Sequence, residues 1–394
     1  MPHNVPLPMA GCKDSGGLPV TQQSAPDAHI THDPAYETVA PDDFAAMVAV
    51  ERYPRRSAAF DGIIGQTHDH FWDPHNPAYL DYATPFDLER ETVMPLERFP
   101  ELNCAATEHL DPATKIRLAN QIQRWTMSNI LHGEQGALSL SASLCDILID
   151  PGAQEYAANQ AREEARHVAA FSRYIAARWG TPYPVGPVLG EFLADIVKSP
   201  IVYKKLIGMQ VLLEGLAMGA FASLHAHTRD PLLKRLVQLV MTDEAFHHKF
   251  GKIWADRTIP RLSRQEHERV EDWTAEVFEM LLFNLSSLAQ RGYIYEAFGL
   301  DVKLLRESVR ESFAGGRKNA MREGTNIFRV LVKTLLKAGI VTDRTIGTYA
   351  AWVDTDELDA EGDTMVGDAI AAEGIEYLRA INARRRVIGQ KATA

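Results

Sequence analysis

One acid-Glu-x-x-His pattern occurs twice in this chain, and nothing else in the sequence limits its fold as strongly. Glu163-Glu164-Ala165-Arg166-His167 and Asp243-Glu244-Ala245-Phe246-His247 stand 80 residues apart. The same shift carries Glu134 onto Glu214, Ala142-Ser143-Leu144 onto Ala222-Ser223-Leu224, and Asp150-Pro151 onto Asp230-Pro231. Two helix pairs related in this way predict a bundle with an approximate twofold axis. Residues three apart on a helix share a face, so Glu164 with His167, and Glu244 with His247, can each hold an ion. Glu134 and Glu214 each lie 30 residues before one of these pairs, on the preceding helix. Four carboxylates and two imidazoles suit two divalent iron or manganese ions.

The surroundings of these acids are apolar. One helix stripe reads Met127, Leu131, Glu134, Leu138, Cys145; another reads Ile207, Val211, Glu214, Met218, Phe221. The His-bearing stripes read Glu164, His167, Val168, Phe171 and Leu236, Val240, Glu244, His247. A carboxylate buried alone costs several kcal/mol or takes up a proton. A single Glu-x-x-His on a helix is commonplace and usually solvated, but six such residues converging call for metal. Metal-bound His usually donates its other N–H to a carboxylate. Asp243 is assigned to His167 and Glu163 to His247, across the bundle, with Arg166 steadying Glu163.

Helical periodicity dominates from residue 111. Asp111-Pro112, Asp150-Pro151 and Asp230-Pro231 each pair an N-cap acid with a proline suited to the first helical turn. Helices are predicted at about 112–148, 152–179, 189–227 and 231–257, then near 264–292, 301–313, 317–338 and 367–386. Pro182, Pro184 and Pro187 break the chain between the second and third. Almost no alternating strand pattern is present. The predicted fold class is therefore all-α. Residues 1–40, rich in Pro, Gly, Ser, Thr and His, read as a mobile N-terminal arm. Residues 41–110 read as a coil-rich extension packed on the core, with one helical pattern at 41–53 and an aromatic stretch at 68–86. Residues 111–260 form the di-metal bundle, and 261–394 a C-terminal helical extension.

A net charge of −11 opposes a nucleic-acid surface. Three cysteines, Cys12, Cys104 and Cys145, make no CxxC pattern and suit reduced thiols in a cytoplasm. No signal peptide is expected, because no basic region followed by an apolar stretch opens the chain, and no membrane span, because the longest apolar stretches carry Glu or Lys.

Over about residues 112–257, the doubled motif resembles the ferritin-like di-iron carboxylate superfamily. In that arrangement two helices each give a Glu, and the other two each give a Glu-x-x-His. The superfamily includes ribonucleotide reductase small subunits, multicomponent monooxygenases, acyl-carrier-protein desaturases, aldehyde-deformylating oxygenases, arylamine N-oxygenases and ferritins. The resemblance implies a ferritin-like four-helix bundle, two iron ions (or manganese with iron) and O2 as co-substrate. Three positions depart from particular members. Phe171 stands where reductase subunits carry a radical tyrosine, Met218 where hydroxylases carry a threonine, and Val240 where N-oxygenases carry a further histidine.

The leading expectation is a non-haem di-iron oxidase or oxygenase acting on a mostly apolar small molecule. The alternatives are a ribonucleotide-reductase-like ligand-binding oxidase with a manganese–iron centre, and an iron storage or detoxification protein. The long extensions argue against storage and suit a substrate cover or an oligomer interface such as that of a homodimer. Without cluster-binding cysteines or a dinucleotide fingerprint, electrons are expected from a separate reductase or ferredoxin. Gly133 and Gly136 near Glu134, and Gly208, Gly215 and Gly219 near Glu214, predict space for O2 or substrate, a π-bulge, or close helix packing. Met127, Leu131, Leu138, Phe171, Val211, Met218 and Phe221 are the expected pocket lining. His132, His225, His227 and His248 are expected to be ordinary histidines. Tyr174 and Tyr203 are candidate electron relays, with a structural role favoured.

Overall fold

The Asp-Pro dipeptides at 111–112, 150–151 and 230–231 each start a helix. Asp111 accepts from the Thr114 backbone N–H at 2.9 Å, Asp150 from Gly152 at 2.8 Å and Asp230 from Leu232 at 2.9 Å. The following proline loses nothing there, because the first helical N–H groups have no intrahelical acceptor. The computed structural model describes residues 34–68, 70–285, 287–312 and 326–391, with side chains described to 384.

The longer helices are α1 (Pro112–Cys145), α2 (Pro151–Trp179), α3 (Pro187–Lys198), α4 (Val202–His227), α5 (Pro231–Thr258), α6 (Arg264–Met280), α7 (Val302–Ser312), α8 (Ile327–Lys337) and α9 (Asp368–Lys391). Among the described residues there is no strand. A single isolated bridge joins Thr38 to Leu148. The chain is all-α, as its periodicity predicts. Helix α1 packs along α2, α4 along α5, and α2 against α5, while α8 covers α4 and α9 covers α5. The four acid-bearing helices thus pack together, and later helices cover α4 and α5.

Several boundaries differ from expectation. The helix predicted at 189–227 is broken between Lys198 and Val202. Pro200 lacks an N–H and drives Ser199 into an extended conformation, ψ 132°, a signal the sequence reading passed over. Within α4, residues Gly208–Leu213 form a π segment directly before Glu214. The helix predicted to reach 292 stops at Met280 and ends in a π turn, Leu281–Leu285. The helical pattern at 41–53 yields only Phe44–Met47, and a further short helix forms at Asp61–Thr67. Residues 1–33 of the N-terminal arm lie outside the described residues. Its last part, 34–40, is packed: Tyr36 is fully buried, and the Val39 N–H donates to the Ile147 carbonyl at 2.8 Å.

Helix α4 is long and apolar enough to cross a membrane by composition, but 83% of its most apolar window is buried inside the protein. Its apolar length is accounted for by a core position between α5 and α8.

Candidate metal centre

Glu134, Glu164, His167, Glu214, Glu244 and His247 are all buried, and they converge. Ligand atoms of Glu134, Glu164, His167 and Glu244 lie within 4.8 Å of one another, as do those of Glu164, Glu214 and His247. The His167 Nδ1 is 3.2 Å from Glu134 Oε2, 3.3 Å from Glu164 Oε2 and 3.2 Å from Glu244 Oε1. The His247 Nδ1 is 3.2 Å from Glu164 Oε1, 3.5 Å from Glu244 Oε2 and 3.9 Å from Glu214 Oε1. Glu164 and Glu244 therefore face both imidazoles, and Glu134 and Glu214 flank one each. These are two adjacent groups that could each hold a metal ion, with Glu164 common to both. No known family model matches the chain, and no curated protein matches it.

The donor chemistry fits divalent metal. Glu164 Oε2 and His247 Nδ1 are buried without a hydrogen-bond partner, although both are strong polar groups aimed at the cluster. Burial, the largest influence, pushes the Glu134 and Glu214 carboxyls well above their ordinary range. Burial also presses Glu244 upward, but the His247 and His167 contacts outweigh it and hold that carboxyl low. With no cation, four carboxylates this close can persist only by sharing protons with the imidazoles. Two dications would match their charge.

The second nitrogen of each histidine is tied in the predicted crosswise manner. His167 Nε2 meets Asp243 Oδ2 at 2.9 Å, and His247 Nε2 meets Glu163 Oε2 at 2.9 Å. Both Nδ1 atoms are thereby left facing the carboxylates. One assignment changes: Arg166 lies 2.6 Å from Asp243 and 3.7 Å from Glu163, so it steadies chiefly Asp243. Asp243 lies on α5 facing α2, within the guanidinium's direct reach.

The coil at 68–86 supplies two residues the sequence reading missed. Trp72 Nε1 donates to Asp243 Oδ2 at 3.0 Å, and its ring stacks on His167 with centroids 6.0 Å apart. His70 is buried with Nε2 3.4 Å from Asp243 Oδ1. His70, Glu163 and Asp243 also bring ligand atoms within 4.8 Å, but the Arg166 guanidinium already occupies that surround as its cation. Gln160 and Gln210 were missed as well. Gln210 Nε2 donates to Gln160 Oε1 at 2.9 Å, and Gln160 Nε2 donates to Glu214 Oε1 at 2.7 Å. Their signal was available, since each stands one helical turn before a ligand-position glutamate on an apolar face.

A cavity of about 260 Å³ opens beside the acids, and Glu134, Glu164, Glu214 and Glu244 form part of its wall. Its apolar lining differs from expectation. Of the seven residues predicted, only Phe221 faces it. Met127, Leu131, Phe171 and Met218 are packed in the core cluster that also holds Phe221, with Phe171 stacked on Phe221 at 5.7 Å. Val211 packs in a separate core cluster and Leu138 is half-buried. The wall is built from the neighbouring helical row instead: Thr126, Ile130, Gly133 and Ala137 on α1, and Leu213, Ala217 and Ala220 on α4. Small residues leave that side unfilled. A Cβ on Gly133 would meet nothing within 4 Å, whereas one on Gly136 or Gly219 would strike Leu193 or the Ile327 backbone. One of these glycines therefore opens space, and the other two permit close packing.

His132, His225, His227 and His248 stand outside the cluster. His132 and His227 bond backbone carbonyls of Tyr183 and Ser223. Tyr174 donates to Asp230, the cap of α5, and Tyr203 packs edge-on against Trp273.

Proposed function

We propose that the chain is a non-haem di-iron oxidase or oxygenase, built on a ferritin-like four-helix bundle, that oxidises a mostly apolar small molecule with O2. The observation that carries this reading is the contact between the shared carboxylate cluster and an apolar cavity: the acids form part of the cavity wall. Glu134, Glu164 and His167 with Glu244 would hold one metal, and Glu164, Glu214 and His247 with Glu244 the other. Reduced iron, or manganese with iron, supplies O2 activation when bound in such a site. The chain's own residues prepare the place. Asp243 and Glu163 hold the protons at the histidine Nε2 atoms, the apolar wall excludes water, and Gly133 leaves room beside Glu134. Two electrons per O2 are expected from a separate reductase or ferredoxin.

The test is an anaerobic ferrous titration followed by air, with metal analysis and optical spectra. Uptake that stops near two metals per chain, with O2 consumed and an added reductant sustaining turnover, supports the proposal. A well-folded sample that takes no more than one metal overturns it, and mineral accumulating far beyond two per chain replaces it with storage.

A further inference from the structure

Among the described residues, the cavity wall contains one cation, Arg291, contributed from outside the four acid-bearing helices. Its side chain is 13% exposed and lies over the Trp125 ring, 5.3 Å from the centroid. Nε donates to the Tyr295 hydroxyl at 2.6 Å and Nη2 donates to Glu101 at 2.8 Å. No described residue accepts from Nη1. Its N–H groups are therefore left to donate, and the other polar wall residues are better satisfied. Thr126 donates to the Ile122 carbonyl, and Asn129 bridges Trp125 and Gly186. Trp125 precedes Glu134 by nine residues on α1, so Arg291 stands about 13 Å along the helix from the acids at 1.5 Å per residue.

We propose that the cavity binds an apolar molecule carrying one uncharged oxygen acceptor, of the ketone, ester or amide class. Its oxygen accepts from Arg291 Nη1 and its hydrocarbon body extends towards Glu134 and Glu214. Charge decides between a neutral oxygen and a carboxylate. Glu101 already neutralises Arg291, and the remaining charged wall residues among those described are acids, so a buried anion would find no unmatched cation among them. The volume admits on the order of nine non-hydrogen atoms at about 30 Å³ each, the share of a water molecule in its liquid.

This inference rests on the proposed function only in taking the cavity as the substrate chamber. Its test needs neither iron nor O2. Acetophenone, cumene and benzoate have the same heavy-atom skeleton and differ in the group offered to Arg291. Each is titrated calorimetrically into the full chain, before and after iron loading. Acetophenone is expected to bind on the order of tenfold to a hundredfold tighter than cumene, the range of one hydrogen bond to a charged group. The paired variant Glu101→Gln with Arg291→Met, which leaves no unmatched charge, is expected to keep cumene binding and lose that preference. Equal binding of ketone and hydrocarbon by the wild type overturns the proposal, as does a preference that survives in the variant. Benzoate binding tightest to the iron-free chain overturns the uncharged class. Failure to load iron with the preference intact would sink the oxygenase reading alone, and intact iron chemistry without the preference would sink this one alone.

Discussion

At Glu134 and Glu214 the balance between burial and charge is sharpest. Burial pushes both carboxyls up, and each faces one imidazole rather than two. Replacing either by alanine is expected to weaken one metal position and abolish reaction with O2 while the fold survives, since removing a costly buried charge can stabilise the metal-free state. Metal analysis and stopped-flow O2 kinetics check this, and wild-type O2 reactivity in either variant would remove that residue from the ligand set. Asp243 works through His167. Burial raises its carboxyl, but Arg166 and His167 outweigh that and hold it well below the ordinary range. Asp243→Asn is expected to keep the metals but lower affinity or turnover by about 10–100-fold, the usual effect of losing a ligand's hydrogen-bond partner. An unchanged metal titration would deny Asp243 that role.

Two contacts join elements at points where a single residue can be tested. A Cβ on Gly251 of α5 would fall 2.4 Å from the Gln210 carbonyl oxygen in the π segment of α4. The helix carrying Glu244 and His247 thus touches the backbone just before Glu214. Gly251→Ala is expected to destabilise the chain by about 1–3 kcal/mol, the typical effect of overpacking. Denaturant unfolding measures this, and an alanine variant of wild-type stability would show that α4 and α5 separate freely. Glu271 joins α6 to the turn after α8. It accepts from the Thr342 N–H at 2.9 Å, the Thr342 hydroxyl at 2.7 Å and Arg344 Nε at 3.1 Å. Burial raises its carboxyl, but these donors together with Thr345 outweigh it, so its folded value lies below the usual one. Such a group adds stability above its unfolded pKa, near 4.3 for Glu, and that contribution is lost as pH falls through the lower folded value. Glu271→Gln is expected to destabilise by about 2 kcal/mol at neutral pH, in the range of hydrogen bonds to a charged group. The difference from wild type should shrink below pH ~4. A gap of equal size at acid and neutral pH would mean that the carboxylate charge contributes nothing.

Across the whole molecule, the centre is a buried cluster of like charges that metal would relieve, so iron binding and folding should be linked. A ligand bound only by the folded state at about a thousand times its Kd adds roughly 4 kcal/mol. The thermal midpoint is therefore expected to rise by several degrees on anaerobic ferrous loading. Calorimetry with and without iron checks this, and an unmoved midpoint would mean that the folded state binds no iron in preference to the unfolded one. The large extensions also take part. The coil at 68–86 lays Trp72 against Asp243, while Leu285, Arg291 and Ile327 close the cavity.

What the sequence determined was local. Glu-x-x-His spacing, the Asp-Pro helix starts and the apolar stripes each depend on residues within a few positions of one another. They therefore identified the six clustered residues and the crosswise pairing of Asp243 with His167 and Glu163 with His247. The 80-residue repeat extended this to the relation between the two helix pairs. What the tertiary structure decided depends on which distant side chains meet. A cavity is a place that packing leaves unfilled, so its position beside Ile130 and Ala137, rather than Leu131 and Leu138, is set by Leu189 and Ile327 from far along the chain. Trp72 and His70 come from a segment without periodicity, where no spacing rule marks a residue's destination. Arg166 reaches both acids from α2, and only the approach of α5 gives it Asp243 as the nearer partner.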